Sequence, residues 1–70
     1  MRLRDIRKEK GVKQQTLCAD LGVTQSTISG WENGKIAMSA KDAQRVADYF
    51  GVSVDYLLGR TDESAHTHAR

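Results

Sequence analysis

Residues 17–34 read L-C-A-D-L-G-V-T-Q-S-T-I-S-G-W-E-N-G, and this stretch decides the fold. Its first part ends one helix at Gly22, and Thr24 then caps a second. Placed at about 100° per residue, Thr27, Ile28 and Trp31 share one side of that second helix, with Glu32 at its edge. Gln25, Ser26, Ser29, Gly30 and Asn33 take the opposite arc. Only Ile28 and Trp31 are large and apolar, so they face inward and leave an outer arc with neither charge nor bulk. Gly34 stops the helix, and Lys35 follows it.

Upstream, Leu3 and Ile6 fall at helical spacing and Gly11 supplies a stop, so a first helix is expected over about 2–10. Asp5 and Glu9 interleave with its bases and give modest i,i+4 support. Leu17, Cys18 and Leu21 extend by the same period back to Gln14, which predicts a second helix over about 14–21. Gln14 then lies in its first turn, on or near the inward stripe, and Lys13 is a poor N-cap. Downstream, 35–38 reads as a loop, and Ser39 followed by Asp42 resembles a capping box with a shorter acid. Ala43, Val46, Ala47 and Phe50 repeat at helical spacing up to Gly51. Ser53 caps a short fifth helix holding Val54, Tyr56, Leu57 and Leu58.

The expectation is an all-α domain of five short helices over residues 1–60, with a helix-turn-helix at the second and third. Residues 61–70 contain no large apolar side chain and are expected to form a disordered polar tail. Neither a strand pattern nor an internal repeat is present, and proline is absent.

Seventy residues suffice for one domain near the lower limit of a single core. No apolar run approaches the ~20 residues of a transmembrane helix. The N-terminus has basic residues but no apolar signal segment, so an uncleaved, soluble, cytoplasmic protein is expected. The single cysteine, Cys18, forms no internal disulfide and sits among apolar residues, which predicts a buried, inert thiol. The net charge of +2 permits nucleic-acid binding without demanding it. Its distribution is more informative. Arg2, Arg4, Arg7, Lys8, Lys10, Lys13 and Lys35 outnumber Asp5, Glu9, Asp20 and Glu32 over the first half.

Catalytic and metal chemistry lack their residues. His66 and His68 lie two apart in the expected tail, Cys18 has no base near it in sequence, and no strand precedes a glycine-rich loop. Five short helices around one small core offer little room for a substrate pocket. No enzyme, metal, cofactor or small-molecule substrate is expected.

Two short helices joined by a tight glycine turn bind DNA when the second presents a polar face to the major groove. The sequence L-R-D-I-R-K-E-K-G, then Gln14 with Leu17, L-G-V-T-Q-S-T-I-S, W-E-N-G-K and F-G-V-S-V-D-Y-L-L-G resembles the lambdoid phage repressor and Cro type of helix-turn-helix domain, the XRE family. The resemblance covers about residues 2–59. It implies a lambda-repressor-like domain whose third helix reads DNA. By position, Gln25, Ser26 and Gly30 would meet base edges, with Ser29 on the same arc. Gln can pair bidentately with adenine, and Ser can donate or accept. The resemblance assigns Gln14, Asn33 and Lys35 to the phosphate backbone and gives Gln14 the further task of bracing Gln25; Lys13, at the start of the second helix, can itself reach a phosphate, and Thr27 is counted with the phosphate contacts. Such contacts set register rather than sequence. It also implies an ion pair between Arg7 and Glu32 that orients the third helix.

Three positions depart from the family pattern. Gly30 replaces a longer side chain and either leaves a gap in the reading face or lets the backbone approach the groove closely, Lys13 replaces the usual cap, and the loop after Lys35 lacks further bases and proline. Modest affinity per subunit and a shallow salt dependence are expected. The resemblance therefore implies a homodimer on a palindromic DNA operator, with Tyr56, Leu57 and Leu58 on the fourth and fifth helices as candidate contacts. The leading expectation is a bacterial or phage-encoded repressor of phage, prophage or mobile-element type. The alternatives are an antitoxin, which a neighbouring toxin gene would reveal, and an anti-repressor-like interaction module that does not bind DNA.

Overall fold

The computed structural model describes residues 1–62, and within them the chain is helical throughout, with no strand. The elements are α1 (Leu3–Glu9), α2 (Gln14–Leu21), α3 (Gln25–Asn33), α4 (Ala40–Phe50) and α5 (Val54–Leu57). This is the all-α, five-helix fold expected from the spacing. Residues 63–70, including most of the expected tail and both histidines, lie outside the described residues. Thr61 and Asp62 are described, and Arg2 holds both: its guanidinium donates to the Thr61 carbonyl at 3.3 Å and to Asp62 Oδ1 at 2.6 Å.

Leu3, Ile6, Leu17, Ile28, Val46 and Leu57 supply the largest fully buried side chains. Each helix thus gives the core an apolar stripe that its own length could not hold in water, because helices this short are marginal alone. Cys18 is only partly buried, at the margin of this core, and its thiol donates to the Gln15 carbonyl at 3.3 Å.

Side-chain caps set three of the helix starts. Thr24, Ser39 and Ser53 are extended, and their hydroxyls accept from the N–H groups of Thr27, Asp42 and Tyr56. The Asp42 carboxylate turns to Arg45, 3.7 Å away. Lys13 makes no side-chain cap for α2, as its chemistry requires.

The turn between α2 and α3 depends on Gly22, whose φ of 72° is left-handed. Its N–H and that of Val23 both donate to the Cys18 carbonyl, at 2.9 and 3.0 Å. This closes α2 and sends the chain directly into the Thr24 cap. Arg45 of α4 donates to the Leu21 carbonyl, and Tyr49 donates to Asp20 at 2.6 Å, so α4 braces the end of α2. The N-terminus joins α5 through Arg2 N–H to the Leu57 carbonyl at 2.8 Å, with the Arg2 guanidinium 4.8 Å from the Tyr56 ring centre.

One expected self-association residue is corrected. Leu57 has no exposed surface because it closes the core. Tyr56 and Leu58 are half-buried.

Candidate nucleic-acid interface

The site is built on the anchoring of α3. Ile28 and Trp31 are buried, which fixes the rotation of the helix and turns Gln25, Ser26 and Asn33 outward to solvent. The side chain of Glu32 at the edge is only 1% exposed. Arg7 Nε donates to its Oε2 at 2.7 Å, and the second guanidinium nitrogen reaches Oε1 at 3.3 Å. Arg7 also donates to the Val12 carbonyl, so one side chain joins α1, the α1–α2 turn and α3.

Gln14 extends this ion pair to the surface. Its Nε2 donates to Glu32 Oε1 at 3.0 Å, and its Oε1 accepts from Gln25 Nε2 at 3.2 Å. Burial raises the Glu32 pKa, but hydrogen bonds from Arg7 and Gln14 and the Arg7 charge outweigh it, leaving the pKa below its ordinary value. The carboxylate stays charged and accepts only. Gln14 must then turn its amide nitrogen inward and its oxygen toward Gln25.

An open depression of about 640 Å³ lies over the outer arc of α3. Gln14, Gln25, Ser26, Ser29, Gly30, Asn33 and Lys35 line it, so seven residues singled out in the sequence meet on one surface. Asn33 is held by Arg4, which donates to its Oδ1 at 3.1 Å, and donates in turn to Ser29 at 3.4 Å. Lys13 is exposed at the start of α2, outside this lining. Thr27 is half-buried, its hydroxyl 3.0 Å from that of Thr24, and belongs to the cap.

Gly30 corrects the expectation of a bare gap. It is buried, although it lies opposite Ile28 on the helix. The chain reverses at Gly34 (φ 78°), and the N–H groups of Lys35 and Ile36 both donate to the Gly30 carbonyl, at 2.9 and 3.1 Å. Ile36 thereby lies over Gly30 and joins the lining of the depression.

Sequence reasoning missed Arg4, which holds Asn33 from behind this surface, and Ile36, which lines it. Arg4 precedes Arg7 by three residues and so shares its helix face, which could have paired it with Glu32 and Asn33. Ile36 is a large apolar residue in an otherwise small or polar loop, which gave a weaker signal.

A helix-turn-helix family matches residues 3–57. Among curated proteins, the chain is similar to the SPbeta prophage-derived uncharacterized HTH-type transcriptional regulator YonR of Bacillus subtilis (strain 168). The two are 35% identical over 60 residues, covering 86% of this chain and 56% of that protein. It is 37% identical to the HTH-type transcriptional regulator AnsR of the same organism, over 84% of this chain and 51% of AnsR. The HTH-type transcriptional activator BcrR of Enterococcus faecalis is 32% identical over 81% of this chain and 28% of BcrR. The chain thus spans about half the length, or less, of these relatives. No solved structure matches it significantly. The family match spans most of the chain and agrees with the five-helix fold: the chain belongs to the XRE-type helix-turn-helix family.

Proposed function

We propose that this chain is a sequence-specific DNA-binding transcriptional regulator that lays α3 in the major groove. One observation carries the reading: the Glu32–Gln14–Gln25 series ends on an exposed amide whose orientation is set from within the protein. Gln25 spends one N–H on Gln14 and keeps a second N–H and its oxygen outward. That is the donor and acceptor pair that matches adenine N7 and N6. Ser26 and Ser29 flank it and can donate or accept. Gln14, Lys13, Asn33 and Lys35 serve the phosphates on either side, while Thr27 stays with the cap.

The regulator acts as a homodimer on a palindromic operator with half-sites ~34 Å apart. Tyr56 and Leu58 on the α5 side are its contact candidates. The family resemblance favours a repressor of phage or prophage type, and one relative is named as prophage-derived. Another is named as an activator, so the sign of regulation needs its own test.

Selection of bound sequences from random duplex DNA tests the reading. It predicts an enriched motif with two-fold symmetry, and a reporter carrying that motif at a promoter then reads repression or activation. Failure to enrich any sequence contradicts DNA reading and favours an interaction module that keeps only the fold.

A further inference from the structure

The large hydrophobic residues exposed among the described residues are Met1, Ile36 and Tyr49. Met1 begins the chain, and Tyr49 uses its hydroxyl on Asp20. Ile36 remains: 42% exposed, on a polar surface, in the depression that Ser26, Ser29 and Asn33 also line. Its placement is specified by its neighbours. A Cβ built on Gly30 would fall 2.5 Å from Ile36 Cγ1 and overlap Cδ1, so the side chain occupies the space that a residue at position 30 would need. Its N–H is bonded to the Gly30 carbonyl, which fixes the loop there.

We infer that Ile36 is a specificity-determining residue, seating its side chain on the C5-methyl of a thymine in the major groove. This rests on the reading of α3 proposed above. Base edges in that groove are donors and acceptors apart from the thymine methyl, which is their one apolar landmark. An isoleucine facing a donor or acceptor would strip it of water and return no bond. Facing the methyl, it removes apolar surface from water on both partners. The missing side chain at position 30 is thus replaced by an apolar reader from the loop, and the face reads one more feature than α3 alone supplies.

The test uses sequences selected by the full chain from random duplexes. Thymines in the selected site are replaced singly by deoxyuridine, which lacks only the methyl group. A single replacement, at one particular position of either half-site, should weaken wild-type binding roughly fourfold, the worth of one buried methyl. In Ile36→Ala the same replacement should have no effect. Gly30→Ala gives an independent arm, because it keeps Ile36 but displaces it, and should blunt the response at the same position. Equal deoxyuridine penalties in wild type and both variants overturn the inference and leave the groove reading standing. An absence of any enriched sequence overturns both.

Discussion

Gln14 Nε2 donates to the buried Glu32 carboxylate at 3.0 Å, and this bond sets which way the Gln14 amide faces Gln25. A fixed acceptor inside leaves Gln14 one orientation, and its oxygen then directs Gln25. Gln14→Ala should therefore cost about 1.5–3 kcal/mol, the range for a hydrogen bond to a charged group. It should also reduce discrimination for adenine at the position read by Gln25. Matched and mismatched duplexes, titrated with both proteins, check this. Equal discrimination would mean that Gln25 needs no brace.

Arg7→Met removes the principal partner of a carboxylate whose side chain is 1% exposed. Breaking a buried pair from one side costs about 3–5 kcal/mol. The lower end is expected here, because Arg4 Nε remains 3.5 Å from Glu32 and Gln14 keeps its bond. Thermal unfolding should show the loss, and operator binding should weaken with it. Unchanged melting and unchanged binding would remove the ion pair from the account.

The same carboxylate predicts an acid dependence. Its folded pKa lies below the ordinary value of 4.5, so its stabilising contribution is complete above 4.5. The contribution is lost as pH falls from there through the folded pKa. Urea unfolding of wild type and Glu32→Gln at a series of pH values separates this group from the other acids. The stability gap between the two proteins should be constant above 4.5 and narrow below it. A gap that widens with acid contradicts the sign.

Much of this was legible in the sequence because local chemistry sets it. Thr24, Ser39 and Ser53 mark helix starts whatever packs around them, and the spacing of Ile28 and Trp31 fixes which side of α3 is buried. Gly30 was misread for a physical reason. Helical spacing places it correctly, opposite Ile28, but what covers it is a loop returning after Gly34, and no periodicity within α3 records that return. Leu57 and Leu58 posed a similar problem: two adjacent apolar residues in a one-turn helix do not reveal which closes the core, and the packing chose Leu57.

Lys35 is exposed and lines the depression, and α3 lying in the major groove would bring it to a phosphate. Lys35→Ala should weaken binding to all sequences alike and reduce the slope of log K against log salt by about 1 per subunit. Fluorescence anisotropy over a salt series measures it. A loss confined to one base sequence would move Lys35 from the backbone to a base.

The most direct test of the reading face is a cycle between Gln25 and the base it is held toward. Binding of wild type and Gln25→Ala is measured on the selected operator and on operators altered at each position in turn. Wild type should lose about 1–3 kcal/mol when the adenine at one position per half-site is changed, and Gln25→Ala should be indifferent to that change alone. A Gln25→Ala protein that keeps the full wild-type preference at every position would contradict the claim that this face of α3 reads DNA through Gln25.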